Sequence, residues 1–182
     1  MKILTMLGSL RAQSSNGVVL NDIERLIRVA DPTAELTRAD IGSLPLFNQD
    51  DELELSDPVR VLKDQIVASD AILILTPEYN RALPGVLKNA LDWASRPWGH
   101  NSFAGKPVAI GGASPGAIGT ALAQADLRKV LAFLDARVMA QPELYVSHVD
   151  QSFDIDGRAF PSTEEFLTGW VDSVLKFFEN GQ

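Results

Sequence analysis

The apolar run Ile3-Leu4-Thr5-Met6-Leu7 stops at Gly8 and predicts a strand buried on both faces, as in a parallel sheet. Val18, Val19, Ile23, Leu26, Ile27 and Ala30 then recur at helical spacing until Asp31-Pro32 breaks the pattern. Ala71-Ile72-Leu73-Ile74-Leu75 repeats the buried-strand signature, and residues 107–110 do so again before Gly111-Gly112. Between these lie a short predicted strand over 35–40, a long surface loop over 41–58 and a helix over 59–68. Pro84 suits the first turn of a further helix, whose apolar face is Val86, Leu87, Ala90, Leu91 and Trp93. A helix over about 117–134, strand material at 137–140 and 144–146, and an amphipathic helix over about 162–178 complete the pattern. Strands alternating with helices, without repeats, predict βαβ units and an α/β fold with helices on both faces of a parallel sheet.

The chain has 182 residues, 46% hydrophobic and 22% charged, which fits one domain over 1–182 and argues against disorder or coiled coil. A net charge of −8 repels nucleic acid and anionic membrane surfaces, so neither is an expected partner. Cysteine is absent, which removes disulfides, thiolate nucleophiles, cysteine-ligated zinc and iron–sulfur clusters. His100 and His148 fall in no metal-ligand spacing, and no metal site is expected. The Ile3–Leu7 run is too short for a membrane span or a signal-peptide core, so the expected location is cytoplasmic.

Parallel sheets bind ligands beyond the carboxyl ends of their strands, which singles out loops over 8–16, 76–83 and 111–119. The first reads Gly8-Ser9-Leu10-Arg11-Ala12-Gln13-Ser14-Ser15-Asn16 and opens a helix. Backbone amides at a helix N-terminus form an anion cradle, and Arg11 adds a charge of bidentate geometry. Capping explains one of Ser14, Ser15 and Asn16. Four short polar residues plus Arg11 favour a phosphate, and the absence of P-loop and G-x-G-x-x-G patterns favours a single phosphate group. The second loop, Thr76-Pro77-Glu78-Tyr79-Asn80-Arg81, reads either as an ordinary turn or as the lining of a planar ligand.

The third loop contains Gly112-Ala113-Ser114-Pro115-Gly116, a G-x-S-x-G match followed by Asp135 and His148 in hydrolase order. Pro115 lacks the N–H that an oxyanion hole needs immediately after the nucleophile, which argues against a hydrolase. Ser114 better suits a loop lying against a bound ring. Asp92, Trp93, Arg96 and Trp98 fit a site rim, a subunit interface or plain core.

Gly8-Ser9-Leu10-Arg11 with Ser14 and Asn16, Thr76-Pro77-Glu78-Tyr79-Asn80, Pro84-Gly85, Leu87-Lys88-Asn89-Ala90, Asp92-Trp93 and Ser95-Arg96 resemble the NADPH-dependent FMN reductase family. Leu44-Pro45-Leu46-Phe47, Ser114-Pro115-Gly116, Leu127-Arg128 and Phe133-Leu134-Asp135-Ala136 extend the likeness, which covers about residues 1–145 and is nearest the chromate and quinone reductase branch. The resemblance implies a flavodoxin-like three-layer sandwich with a five-stranded parallel sheet of order 2-1-3-4-5. It also implies bound FMN, NADPH or NADH as reductant, a small-molecule electron acceptor and a homodimer or homotetramer.

By that likeness Ser9, Arg11, Ser14, Ser15 and Asn16 surround the FMN phosphate, while Pro77, Glu78, Tyr79, Asn80 and Ser114 border the isoalloxazine ring. The chain departs from the commonest motif at Ala12-Gln13, where a basic residue and glycine are frequent, and at Arg81, where an aromatic or small residue is frequent. The implied activity passes a hydride from NADPH to FMN and electrons onward to a quinone, flavin, azo or nitro compound, or chromate-like acceptor. No side chain is needed as a catalytic nucleophile. The alternative is a flavodoxin-like electron carrier without a nicotinamide site.

Overall fold

The computed structural model describes residues 1–180, so the last two positions of the expected 1–182 domain lie outside the described residues. In chain order the elements are β1 (Lys2–Leu7), α1 (Ser15–Ala30), β2 (Glu35–Arg38), α2 (Asp57–Ala68), β3 (Ala71–Leu75) and α3 (Gly85–Ala94). They continue with β4 (Pro107–Ala113), α4 (Ala121–Phe133), β5 (Arg137–Val138), β6 (Leu144–Val146) and α5 (Pro161–Glu179). All pairings among these strands are parallel, in the order β2-β1-β3-β4-β5, with β6 also on β4. This is the predicted flavodoxin-like order with one strand added.

Strand side chains alternate between two cores, as a pleated sheet requires. Ile3, Ala71, Leu73, Leu75 and Ala109 face α1 and α5, whose Leu20, Ile23, Ile27, Trp170 and Val174 are buried against them. Leu4, Met6, Ile72, Ile74 and Ile110 face α2, α3 and α4 through Leu62, Ile66, Leu87, Leu91, Leu127 and Leu131. Each helix is amphipathic because only one of its faces meets the sheet.

The structure moves several predicted boundaries. β4 runs three residues past Ile110, because β6 pairs with Gly111, Gly112 and Ala113 and keeps that segment in the sheet. The two glycines face protein instead of a ligand. A Cβ on Gly111 would lie 2.6 Å from Leu144, and one on Gly112 would lie 1.9 Å from Thr120 Oγ1 and 2.4 Å from the Thr76 carbonyl. The third loop therefore starts at Ser114. α4 starts four residues later than predicted, since Thr120 takes a left-handed φ of 68° to tuck under Gly112. β2 ends at Arg38, two residues early, and strand material at 137–140 and 144–146 resolves into two short strands that pair with successive parts of β4. The loop over 41–58 contains a short 3-10 turn at Gln49–Asp51, and α2 begins within it at Asp57.

Candidate functional site

The loops after β1, β3 and β4 meet at the carboxyl end of the sheet, because these three strands are neighbours and run the same way. All ten predicted cofactor residues stand on these loops or on the first turn of α1. Gly8 donates to the Leu75 carbonyl at 2.8 Å, and Thr76 donates to the Gly111 carbonyl at 3.0 Å, so the three loops leave the sheet in register.

In the first loop, Ser14 is the N-cap of α1, its Oγ accepting from the Gly17 amide at 3.2 Å. Asn16 is 2% exposed and bridges to β4. Its Nδ2 donates to the Ala113 carbonyl at 2.9 Å, and its Oδ1 accepts from the Ala113 amide at 2.8 Å, so the side chain acts like a neighbouring strand. Ser9 Oγ accepts from the Arg11 amide, and Arg11 Nη2 donates to Ser15 Oγ at 3.2 Å. Among the described residues, the amides of Ala12, Gln13, Ser14, Ser15 and Asn16 donate to no protein atom. The first turn of α1 holds no acidic residue, so the positive end of its dipole is not neutralised within the helix. Free amides, a helix N-terminus and an exposed guanidinium together suit a phosphate.

The second loop folds into a tight hairpin in which Tyr79 and Ala82 exchange two hydrogen bonds of 3.1 Å. Pro77 is buried, Thr76 Oγ1 donates to its carbonyl, and Tyr79 is half exposed. Glu78 reaches sideways to α4, where its Oε2 accepts from the Leu122 and Ala123 amides at 3.0 and 3.2 Å. A carboxylate at a helix N-terminus is stabilised by the dipole and the orphan amides there. Ser114 is also used internally, its Oγ donating to the Gly116 carbonyl and accepting from the Gly119 amide.

A small cavity of about 220 Å³ opens between these loops, lined by Glu78, Arg81, Ser114, Gly116, Ile118 and Thr120. In the third loop Gly119, at a φ of 60° that side chains rarely adopt, packs closely against Tyr145. Burial, then the hydrogen bond donated to Glu143 at 2.7 Å, push the Tyr145 hydroxyl up to about 12. The amides of Glu78, Asn80 and Arg81 donate to no protein atom among the described residues, so they can face electron-rich ring atoms.

Sequence reasoning missed Ile118 and Thr120 as lining residues and the strut from Glu78 to α4. Neither has a local signal, since each depends on where α4 starts. The hydrolase alternative has no triad. Asp135 lies beside the amino-terminal end of β4, where its carbonyl accepts from Gly105, while Ser114 follows the opposite end. Trp93 is core, 1% exposed, with its Nε1 donating to the Pro45 carbonyl. A larger groove of about 740 Å³ runs along α3 and α4 away from the three loops, rimmed by Arg96 and by the exposed Trp98 and Phe133.

A doubly wound parallel sheet with an anion cradle after its first strand and a ring-sized opening between the next two loops defines the flavodoxin-like class of nucleotide-binding domains. Residues 1–151 match the family model described as NADPH-dependent FMN reductase. A 2-hydroxy-1,4-benzoquinone reductase of Burkholderia sp is 46% identical over 173 residues, covering 94% of this chain and 93% of that protein. A quinone reductase of Escherichia coli (strain K12) is 40% identical over 183 residues, covering 98% and 96%. Among solved structures, the flavoenzyme NAD(P)H:(acceptor) oxidoreductase FerB of Paracoccus denitrificans superposes with a TM-score of 0.91 at 41% identity, covering 99% of this chain and 98% of that one.

The chain belongs to the NADPH-dependent FMN reductase family, an oxidoreductase family that works with FMN and NAD(P)H. No helix among the described residues is long and apolar enough to cross a membrane.

Proposed function

We propose that this chain is a cytoplasmic NAD(P)H:acceptor oxidoreductase that reduces quinones, with flavins, azo or nitro compounds and chromate-like oxyanions as further acceptors. The balanced reaction is NAD(P)H + H⁺ + quinone → NAD(P)⁺ + hydroquinone. Bound FMN supplies two-electron carriage between the hydride donor and the acceptor. The residues fit it. The free amides of 12–16, Ser9, Arg11 and Ser15 face the phosphate, while Ser14 and Asn16 hold that loop in place. Pro77, Tyr79 and Asn80 border the ring. Glu78 and Ser114 fix the backbone on either side of it, and the amides of Glu78 and Asn80 stabilise negative charge on the ring.

The observation that carries this reading is the run of amides at 12–16 leading into α1, free among the described residues and with no acid in the helix's first turn, together with a ring-sized opening between the next two loops. Hydride donor and acceptor would take turns at one shared site, giving ping-pong kinetics with parallel initial-rate lines. The chain acts as one FMN-binding unit over 1–182 and pairs as a homodimer or homotetramer, for which the exposed Trp98 and Phe133 along α3 and α4 offer a surface. The test is a visible spectrum of FMN-reconstituted protein, followed anaerobically by NADPH and separately by NADH. Stoichiometric flavin bleached within a turnover time supports the reductase. Bound flavin reduced only slowly by either nucleotide identifies an electron carrier, and failure to bind flavin removes both redox functions.

A further inference from the structure

Asn80 and Arg81 are the two central residues of the hairpin turn closed by Tyr79 and Ala82, and both have positive φ, 54° and 67°. Turns of this type favour asparagine first and glycine second, because a side chain at the second position is strained. Asn80 matches that preference and Arg81 defies it. A long charged side chain held in a strained backbone beside a ligand cavity calls for a reason beyond folding, since glycine would make the same turn at less cost.

The Arg81 side chain is 64% exposed and lines the 220 Å³ cavity, with Ser114, Gly116 and Thr120 among its neighbours there. Among the described residues its close charged partner is Glu78 at 3.6 Å, a contact too long for a hydrogen bond. The other Glu78 oxygen already accepts from two amides at the α4 N-terminus. The carboxylate is therefore largely balanced by the helix dipole, and the Arg81 guanidinium keeps most of its field and its fork of donors for the cavity mouth. In a chain of net charge −8, this local cation is what an anionic substrate would need in order to approach.

We propose that Arg81 is a specificity-determining anion anchor, selecting planar acceptors that carry an ionised oxygen on the ring, such as hydroxyquinone anions, over neutral quinones of the same size. The inference rests on the acceptor-reductase reading above and narrows its substrate class. An ionised ring oxygen matches the planar guanidinium in geometry and charge, which a neutral methoxy group in the same place does not.

The test compares FMN-saturated wild type, R81K and R81G with 2-hydroxy-1,4-naphthoquinone and 2-methoxy-1,4-naphthoquinone, a charged and a neutral acceptor of similar shape. The readout is the ratio of their kcat/KM values, so differences in intrinsic reactivity cancel between variants. R81G suits the left-handed turn and folds, so its Tm stays level or rises. Its ratio falls about tenfold, the scale of a charge-assisted hydrogen bond, while R81K, which keeps the charge but not the planar fork, retains only part of the preference. Added salt erodes the wild-type ratio and leaves that of R81G flat.

A ratio unchanged in R81G overturns the anchor while leaving the reductase reading intact. The anchor falls equally if the substitution acts only on the KM for NAD(P)H, which would make Arg81 a nucleotide contact. A second readout needs no turnover: benzoate and benzamide are titrated into FMN-saturated wild type and R81G while the visible absorbance of the flavin is followed. Benzoate-selective binding that R81G loses supports the anchor even if wild type reduces no acceptor, a result that would sink the reductase reading alone. Equal responses to the two probes, or none, in a protein that also fails to turn over would overturn both.

Discussion

The loop over 8–16 and the loops after β3 and β4 are built from the same kinds of residue, yet they use them in opposite ways. In the first loop, Ser14 and Asn16 close the local structure, and five consecutive amides donate to no protein atom among the described residues. In the other two, Glu78 and Ser114 are bonded to protein backbone, and Arg81 stands out from a strained turn. The first is a segment in which two side chains are tied to protein while a run of amides and the Arg11 guanidinium stay open. The second is a frame whose side chains tie two loops and a helix together, leaving one exposed cation. Short polar residues at a strand end thus mark a site without saying which atoms face the ligand.

The contrast breaks most severely at Gly112, where the frame is packed tightest. Gly112→Ala drives a methyl group into Thr120 and the Thr76 carbonyl, and neither can retreat without moving both loops. The expected cost is about 3 kcal/mol or more, read as a fall in Tm of roughly 6–12 °C for a chain of this size, together with loss of FMN binding. A melt unchanged within a degree would mean that the frame is loose.

Glu78→Ala comes next. It strips the acceptor from two α4 amides, with an expected loss of about 1–2 kcal/mol in urea unfolding. Glu78→Gln, which keeps a neutral acceptor, should recover part of that loss. For the cradle the order of effects reverses. Arg11→Ala should change stability by less than about 0.5 kcal/mol while weakening FMN binding about tenfold at low salt, measured by fluorescence titration. Ser14→Ala should cost about 1 kcal/mol through the lost cap. If Arg11→Ala destabilises as much as Glu78→Ala, the distinction between cradle and frame fails.

The smallest effect sharpens the picture from behind the third loop. The Tyr145 hydroxyl is raised from 10.0 to about 12, by burial first and then by Glu143, so folding favours its neutral form. The stabilisation is therefore complete below pH 10 and is lost as pH rises through about 12. Tyr145→Phe should flatten the decline in stability over that window and change little at neutral pH. An identical alkaline slope in both proteins would remove Tyr145 from the account.

Much of the architecture was legible because it follows from local chemistry. Continuous apolar runs at 3–7 and 71–75 allow few structures other than doubly covered strands, and the helical stripe of 18–30 must face them. The three loops were legible for the same reason, since parallel strands deliver their carboxyl ends to one end of the sheet. Gly111-Gly112 misled because glycine reads locally as a loop residue. In the fold these glycines are strand positions crowded by Leu144 and Thr120, residues 33 and 8 places further along the chain.

The sequence by itself determined the alternation of strands and helices, the loops that carry the site and the family to which they belong. Periodicity and short motifs are properties of neighbouring residues. Only the tertiary structure decided which polar groups are free. It bound Asn16 to β4 and Glu78 to α4, while Arg81 stayed exposed at the cavity mouth. A hydrogen bond across 97 or 44 residues depends on packing angles that no local pattern encodes, and each such bond commits side-chain atoms to protein partners.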